Sequence, residues 1–378
     1  MSLAAHYTRF RVAERLLLTG HSHQAWPDVA REGVLEAYDD AALALGGKWE
    51  RAETRAERLR AGVRTLLGEP GAEVTLGANV HELLVRFLST LDLRTRPRLV
   101  TTDAEFLSVS RQLDRLGEVG VEVVRVPAEP VATLSARLSA AVDDRTAAVL
   151  VSSVLYETSR RVPGLASVAA ACARVGTELF LDAYHHLGVL PWEAEGLAEA
   201  WVVGGGYKYL QLGEGCCFLR LPPHAAGTRP VVTGWWAHDG DRFAGSTYDP
   251  TSHYRAARVL DFFAEQGLTP PVLREISLRQ RGLLARTFDD LDLPPDVVTR
   301  DRETPAEGFG GFLALRTPYG PALRDALARR GVTVDSRGQH LRFGPAPYLL
   351  DEQLVAAMSA LEDAVVEQQP DRRDRRQQ

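Results

Sequence analysis

The sequence predicts an α/β protein with a mostly parallel central sheet and a smaller C-terminal α+β domain. Between residues 99 and 221, short valine-rich apolar runs alternate with helical stretches. This alternation is typical of a sheet covered by helices on both faces. The pattern changes near Tyr254, where two long helical stretches precede short strands and two more helices. The change indicates a second, smaller unit.

Hydrophobic periodicity locates the individual elements. Helices are predicted over residues 28–45, 53–67 and 79–91, and Leu59, Val63 and Leu66 recur at helical spacing in the second of them. Strands are predicted at residues 99–102, 121–126, 147–152, 178–182, 200–203 and 216–221. The C-terminal part should contain helices at residues 254–266, 271–288, 320–330 and 351–367, strands at 332–335 and 340–343, and a further segment at 311–316.

Composition narrows the class of protein. The 378 residues carry a net charge of −6, with 45% hydrophobic and 25% charged residues, which is typical of a globular protein and offers no basic patch for nucleic acid. Cys172, Cys216 and Cys217 form no Cys-x-x-Cys pair, so neither a disulfide framework nor a metal site is predicted. We expect a cytoplasmic protein, because neither a signal peptide nor an apolar run of 18 residues is seen.

Two strand ends carry the residues that indicate chemistry. One apolar run ends in Asp182, and the next ends in a glycine-rich turn that carries Lys208. The ligands of such sheets bind beyond the carboxyl ends of the strands. A lysine amine can form a Schiff base with pyridoxal phosphate, and a carboxylate can keep the pyridine nitrogen protonated. The pair therefore predicts a pyridoxal 5′-phosphate site.

Other cofactors fit this glycine-rich turn less well. A nucleotide phosphate loop needs Ser or Thr after the lysine, but Tyr209 follows Lys208. A dinucleotide site needs Gly-x-Gly-x-x-Gly between a strand and a helix, and the sequence lacks this pattern there.

The motifs together resemble the class V aminotransferase group of fold-type I pyridoxal-phosphate enzymes, and kynureninase within it. Asp182-Ala183-Tyr184-His185 is similar to the family's Asp-x-x-His, and Tyr207-Lys208-Tyr209-Leu210 to its Tyr-Lys-Tyr-Leu. Further similar segments are Gly20-His21-Ser22, Ala78-Asn79-Val80-His81, Gly234-Trp235-Trp236-Ala237-His238, Asp335-Ser336-Arg337 and Leu341-Arg342-Phe343-Gly344-Pro345. The resemblance extends from about residue 18 to about residue 347.

The resemblance implies a role for each matched residue. Lys208 would hold the cofactor and move the Cα proton, and Tyr207 would donate a proton. The implied cofactor-binding residues are Asp182 at the ring nitrogen, His185 beside it, Phe106 on the ring face, and Gly77, Ala78, Trp235, Thr251 and Ser252 around the phosphate. In the fold-type I group, the region of Thr251 and Ser252 reaches into the neighbouring subunit, which implies a homodimer with shared sites.

The substrate side resembles the family less closely. Arg342 would bind the substrate carboxylate through its guanidinium fork, and His21 and Ser22 would line the same side. His21 stands where the family has Asn, and the Asn of the family's Ser-Asn-Pro-Pro segment is absent at Thr251-Ser252-His253-Tyr254. The cofactor prediction therefore rests on closer matches than the substrate prediction.

The implied activity is hydrolytic cleavage of the Cβ–Cγ bond of kynurenine or a related β-acyl amino acid, giving alanine. An aminotransferase remains an alternative. A cysteine desulfurase-like lyase is a weaker one, because Leu341 replaces that family's nucleophilic Cys. A non-catalytic binding protein of the same fold is the weakest.

The domain boundaries follow from the same reading. We expect an N-terminal segment over residues 1–50, a large cofactor-binding domain over 51–253, a small domain over 254–366 and a disordered tail over 367–378.

Overall fold

The computed structural model describes residues 2–238 and 241–368. The helices are α1 Val29–Ala44, α2 Lys48–Leu67, α3 Val80–Leu88, α4 Leu107–Glu118, α5 Leu134–Ala141, α6 Leu165–Val175, α7 Thr251–Glu265, α8 Pro270–Asp290, α9 Gly320–Arg329 and α10 Asp351–Gln368. The strands are β1 Leu16–Leu17, β2 Glu73–Gly77, β3 Arg98–Thr102, β4 Glu122–Val126, β5 Thr146–Ser152, β6 Glu178–Asp182, β7 Ala200–Gly205, β8 Cys217–Leu221, β9 Thr299–Arg300, β10 Leu313–Arg316, β11 Val332–Thr333, β12 Asp335–Arg337 and β13 His340–Phe343.

A seven-stranded sheet forms the centre of the molecule. Its strand order is β2-β8-β7-β6-β5-β3-β4. Strand β8 is antiparallel to both of its neighbours, and the remaining pairs are parallel. The predicted α/β class with a mostly parallel sheet is thus confirmed. The parallel order brings the carboxyl ends of β3, β5, β6 and β7 to the same edge of the sheet.

Both faces of this sheet are covered by helices. In β5, Ala148 and Leu150 pack with α3 and α4, whereas Val149 and Val151 pack with α5 and α6. Successive side chains of a strand point to opposite faces, so a fully buried strand must be apolar at every position. All seven residues of β5 are buried.

A second sheet completes the C-terminal part. Strands β12-β13-β10-β9 form a four-stranded antiparallel sheet. The N-terminal segment lies beside it: β1 and β11 form a separate two-stranded parallel sheet, and Thr19 forms a bridge with Gly344, which follows β13. This connection carries the segment that contains His21 onto the small sheet.

Several local predictions differ from the structure. Helix α2 begins at Lys48 rather than residue 53, and the strand predicted at 332–335 is divided into β11 and β12. Strand β2 was not predicted. Helix α3 ends at Leu88 rather than residue 91, where the hydroxyls of Ser89 and Thr90 donate to the carbonyls of Arg86 and Phe87, both at 2.7 Å. Such side-chain bonds compete with continued helical bonding.

Helix α7 begins at Thr251, three residues before the predicted start. The Asp249 carboxylate accepts hydrogen bonds from the Thr251 backbone N–H at 3.0 Å and from its hydroxyl at 2.6 Å. Thr251 and Ser252 therefore lie in a first helical turn, whereas the predicted helix started at residue 254.

The C-terminal end bears on the predicted tail. Helix α10 continues to Gln368, so residues 367 and 368 are helical, and residues 369–378 lie outside the described part of the chain. Among residues 2–238 and 241–368, none of the helices has the length and apolar character needed to traverse a bilayer.

Candidate active site

Lys208 lies in the turn that connects β7 to β8. The Gly206 N–H donates to the Cys216 carbonyl at 2.9 Å, and the Leu212 N–H donates to the Gly206 carbonyl at 2.9 Å. A side chain at Gly205 would overlap the Tyr184 hydroxyl, so the end of β7 requires glycine. The tight turn buries Lys208 at the carboxyl edge of the sheet.

The Lys208 amine contacts a neutral imidazole. Its Nζ lies 2.7 Å from His185 Nε2. Burial lowers the pKa of Lys208 to about 7, although the nearby Asp182 carboxylate opposes this shift. Burial, followed by the charge of Lys208, lowers the pKa of His185 well below its usual value. His185 can therefore accept a hydrogen bond from Lys208, and Lys208 can exist as a free amine near neutral pH.

Asp182 is buried at the end of β6. Its Oδ1 accepts a hydrogen bond from the Tyr184 N–H at 2.8 Å. Burial raises the pKa of this carboxyl, while the Tyr184 N–H and the Lys208 charge oppose the shift. The carboxyl thus lies where a protonated ring nitrogen would stabilise its charge.

Aromatic rings surround the Lys208 amine. The Nζ atom lies 4.6 Å from the Tyr184 ring centroid, 5.3 Å from that of Phe106 and 5.7 Å from that of Tyr207. Burial raises the pKa of Tyr207 to about 12. The Tyr207 phenol is consequently protonated at neutral pH, and flat apolar faces lie beside the amine.

The predicted phosphate site lies at the start of α3. Ala78 and Asn79 are exposed there, and the Asn79 side chain accepts a hydrogen bond from the Glu82 N–H at 3.0 Å. A Glu82 carboxylate oxygen lies 3.4 Å from the Ala78 nitrogen and 3.3 Å from an Arg86 nitrogen. A phosphate bound to the Ala78 amide would compete with this carboxylate, which Arg86 can retain.

Arg342 supplies the cation of the substrate side. It is 3% exposed in β13, and Asp335 is its cross-strand partner in β12. One terminal nitrogen donates to the Tyr156 carbonyl at 2.5 Å and the other pairs with the Asp335 carboxylate. The buried Nε has no hydrogen-bond partner within residues 2–238 and 241–368. A substrate carboxylate could satisfy it.

His21 lies beside this pair. Its ring is 1% exposed, its centroid lies 4.5 Å from that of Phe312, and its Nε2 lies 3.9 Å from Asp335 Oδ2. Neither ring nitrogen has a hydrogen-bond partner in the described chain. Burial, together with the charges of Arg342 and Lys208, lowers the pKa of His21 well below its usual value.

The other predicted residues make separate contacts. The Ser22 N–H donates to the Thr19 carbonyl at 2.7 Å. Trp235 is 66% exposed. Thr251 and Ser252 line a cavity of about 1160 Å³ together with Gly77 and Ala78. Within the chain, the Ser252 hydroxyl donates to the Gly215 carbonyl at 3.2 Å.

Sequence reasoning assigned no role to three residues of the site. Tyr184 provides the ring nearest the Lys208 amine, and Asp335 pairs with Arg342. Glu105 is buried between two strand ends. Tyr184 and Asp335 lie within motifs that resemble the family, and Glu105 directly precedes Phe106. These positions in the sequence were the available signal for the three residues.

Comparisons with known proteins connect this geometry to a family. No family model matches the chain. A kynureninase of Deinococcus radiodurans is 27% identical over 335 residues, which cover 81% of this chain and 78% of that protein. An uncharacterised aminotransferase, YcbU, of Bacillus subtilis is 24% identical over 247 residues, covering 62% of this chain and 66% of that protein.

Solved structures share the fold. A mutant of C-DES with glycine covalently linked to its pyridoxal-phosphate cofactor gives a TM-score of 0.84 at 17% identity, covering 96% of this chain and 100% of that chain. A NifS-like protein gives a TM-score of 0.74 at 19% identity, covering 92% of this chain and 98% of that chain.

The chain is a class V aminotransferase-like, fold-type I pyridoxal-phosphate protein. The predicted resemblance, fold type and cofactor are thereby confirmed. The site fits the cofactor on three observations. Lys208 offers a buried amine whose pKa is about 7, His185 Nδ1 is buried without a partner in the described chain, and a side chain at Gly77 would press on Leu83, with a Cβ 2.9 Å from its Cγ. The amine suits the aldehyde, and Gly77 and Ala78 line a cavity next to the α3 N-terminus, where a phosphate could bind.

Proposed function

We propose that this class V pyridoxal-phosphate enzyme hydrolyses the Cβ–Cγ bond of kynurenine or a related β-acyl amino acid and releases alanine. The observation that carries the proposal is that the buried amine of Lys208 and the buried guanidinium of Arg342 belong to one site. The Lys208 amine is poised on His185, and the electrostatic influence of Arg342 extends to Lys208, His185 and His21. The kynureninase of Deinococcus radiodurans supports the choice of reaction.

Lys208 would move the proton of the reaction. When bound, pyridoxal phosphate supplies an electron sink that stabilises negative charge at the substrate Cα. An amine whose pKa is about 7 can take the Cα proton and return it near neutral pH. Neutral His185 would orient Lys208 Nζ, and Asp182 would keep the ring nitrogen protonated.

Arg342 would bind the substrate carboxylate. Its charge is shared with Asp335, while its Nε–H remains available. His21 would add an imidazole N–H beside it, because neutral His21 carries one ring proton. Tyr207, whose pKa is raised to about 12, would supply a proton to the departing side of the substrate. Ser22, which follows His21, would line the same side of the substrate site.

The remaining predicted residues suggest a homodimer with shared sites. Trp235 is exposed, and Thr251 and Ser252 face the cavity that Gly77 and Ala78 also line. We propose that this surface meets a second copy near the phosphate. Sedimentation at assay concentration tests the dimer, and a fully active monomer would contradict it. A reducing cytoplasm suits the three free, buried cysteines.

Product analysis tests the reaction. The purified protein, loaded with pyridoxal phosphate, is incubated with L-kynurenine, and alanine and anthranilate are separated by chromatography. The expected result is equal amounts of both, absent with Lys208→Ala. For an efficient enzyme, kcat/KM would approach about 10⁴ M⁻¹s⁻¹. Transfer of the amino group to a keto acid, without alanine from any β-acyl amino acid, would instead establish the aminotransferase.

The lyase alternative has its own substrate. A cysteine desulfurase-like reaction needs an accessible cysteine, whereas Leu341 is 0% exposed in β13 and the three cysteines are buried. The C-DES relative is described as a cystine C–S lyase, so L-cystine belongs in the same assay. Sulfide or persulfide from L-cystine without alanine from L-kynurenine would replace the proposal by a C–S lyase.

A further inference from the structure

Glu105 is a buried carboxylate without a cationic partner within hydrogen-bond distance among the described residues. It is 4% exposed and lies just beyond the end of β3. Its Oε1 accepts hydrogen bonds from the Thr102 hydroxyl at 2.6 Å and the Ser152 N–H at 3.2 Å, and its Oε2 accepts one from the Ser152 hydroxyl at 2.5 Å. Burying a carboxylate among neutral donors costs free energy, which indicates that Glu105 has a role beyond packing.

The bonds of Glu105 join two strand ends. Thr102 ends β3, and Ser152 ends β5. The next residue, Ser153, donates to the Asp182 carbonyl from its N–H at 2.9 Å and from its hydroxyl at 3.1 Å. Ser152 is also the register partner of Asp182 in β6. A continuous chain of hydrogen bonds and covalent bonds therefore runs from Glu105 to the residue predicted to bind the cofactor nitrogen.

Glu105 also fixes the residue that follows it. Phe106 is the N-cap residue of α4, and its ring centroid lies 5.3 Å from Lys208 Nζ. A carboxylate held by three donors restrains the backbone of its neighbour more tightly than a single bond would. The segment that carries Phe106 and the end of β6 at Asp182 are thus linked through Glu105 and the end of β5.

We propose that Glu105 is a positioning residue that holds Phe106 and Asp182 at the separation required to sandwich and polarise the cofactor ring. The proposal rests on the cofactor roles proposed above for those two residues. A carboxylate, or the isosteric amide, can span the two strand ends, because the Thr102 hydroxyl and the Ser152 N–H approach Oε1 and the Ser152 hydroxyl approaches Oε2.

The burial of Glu105 agrees with this role. Burial raises its pKa to about 7, and the hydroxyls of Ser152 and Thr102 oppose the shift. A protonated carboxyl keeps the shape and most of the acceptor capacity of the ionised form. The uncharged, isosteric Glu105→Gln variant should consequently preserve the positions of Phe106 and Asp182, whereas Glu105→Ala should not.

The test measures cofactor binding rather than turnover. Apparent affinity for pyridoxal phosphate and the visible circular dichroism of the bound cofactor are recorded for the wild type and for Glu105→Ala and Glu105→Gln. We expect Glu105→Ala to weaken affinity about tenfold, as for the loss of one or two buried hydrogen bonds, and to change the dichroic band. Glu105→Gln should stay within about threefold and retain the band.

Asp103→Ala is the matched control. The Asp103 carboxylate anchors the same loop from the other side, accepting a hydrogen bond from the Ala128 N–H at 2.8 Å. It should leave affinity within about twofold, the size expected for an exposed anchor. An equal effect of Asp103→Ala and Glu105→Ala would overturn the proposal, since any loosening of the loop would then suffice.

A double-mutant cycle tests the route of action. If Glu105 acts partly through Phe106, the effect of Glu105→Ala must shrink in a Phe106→Ala background. Additive effects would contradict the proposal. Should Glu105→Ala fail to fold, Ser152→Ala removes one donor and should shift affinity in the same direction by a smaller factor, and an unchanged affinity would count against it.

The wild type separates this inference from the function. A wild-type protein without a visible cofactor band on Lys208 would remove the proposed function. A normal wild-type band that Glu105→Ala leaves unchanged, in affinity and in dichroism, would remove only the role of Glu105.

Discussion

The two walls of the site are built in different ways. On the cofactor wall, Asp182, His185 and Lys208 follow two neighbouring parallel strands of one sheet, β6 and β7. On the substrate wall, His21, Tyr156, Asp335 and Arg342 come from distant parts of the chain. His21 and Tyr156 are distant in the sequence from each other and from the Asp335–Arg342 pair, and the fold alone brings them together.

The walls also differ in how their polar groups are satisfied. On the cofactor wall, the Lys208 amine has a partner at 2.7 Å in His185, although His185 Nδ1 has none in the described chain. The substrate wall leaves His21 and Arg342 Nε without hydrogen-bond partners in the described chain. Unpaired buried polar atoms are costly, so the substrate wall is where a polar ligand has most to add. We therefore expect the cofactor wall to determine the rate of the reaction and the substrate wall to determine which substrate binds.

The largest effect should come from the cofactor wall. Lys208→Ala should abolish both covalent cofactor attachment and turnover, because no second buried amine is present: Lys48 is the other lysine of the sequence and is not buried. Borohydride reduction and peptide mass mapping should place the adduct on Lys208. Lys48→Ala is the control and should behave as the wild type. An adduct on Lys48 would refute the site.

Asp182→Asn should follow in size. The neutral amide cannot keep the ring nitrogen protonated, so we expect turnover to fall at least about a hundredfold, the typical cost of one preorganised electrostatic contact. The protein should remain folded, because the Tyr184 N–H can still donate to the amide oxygen. Steady-state kinetics and far-ultraviolet circular dichroism measure the two outcomes. Near-normal turnover would leave Asp182 without the proposed role.

Arg342→Lys tests the substrate wall. A lysine cannot offer an N–H to a substrate carboxylate while also reaching Asp335 and the Tyr156 carbonyl, so substrate binding should weaken by about 1.5–3 kcal/mol. Cofactor affinity should be nearly unchanged. Arg337→Lys is the control, because Arg337 has a half-exposed side chain and lies 3.6 Å from Asp335. Loss of cofactor affinity with intact substrate affinity would assign Arg342 to the wrong wall.

The pH dependence of cofactor attachment sharpens the cofactor wall further. The unprotonated amine is the nucleophile, and the Lys208 pKa is about 7, below its usual value. The rate of attachment to the cofactor-free protein should therefore rise about tenfold from pH 6 to pH 8 and level off above. Stopped-flow absorbance measures it. A rise that continues to pH 10 would show an unshifted amine.

His21→Asn should have the smallest effect and the most informative one. It restores the amide that the resemblance leads us to expect, so KM for L-kynurenine should change by a few-fold to about tenfold while cofactor affinity stays constant. Gly344→Ala provides a second route, because a side chain there would overlap His21 Nδ1. Both variants should change KM for L-kynurenine while cofactor affinity stays constant. Unchanged KM in both would exclude His21 from the substrate wall.

The sequence alone determined most of the cofactor wall. A strand buried on both faces must be a continuous apolar run, and a polar residue at its end is then visible as an exception, as with Asp182 and Lys208. Because consecutive parallel strands place their carboxyl ends together, the meeting of these two residues followed from the pattern. The Tyr-Lys-Tyr-Leu segment added the family, and similar proteins confirmed it.

The tertiary structure decided what local patterns do not encode. The register of β12 and β13 places Asp335 opposite Arg342, and the Thr19–Gly344 bridge carries His21 to the same place. The role of Glu105 depends on the distance between two strand ends, which the apolar pattern of either strand leaves open. Strand β2 was missed for a related reason, since its partner β8 is distant in the sequence. Local physics therefore specified the elements and their ends, whereas long-range pairing specified which polar groups meet once water is excluded.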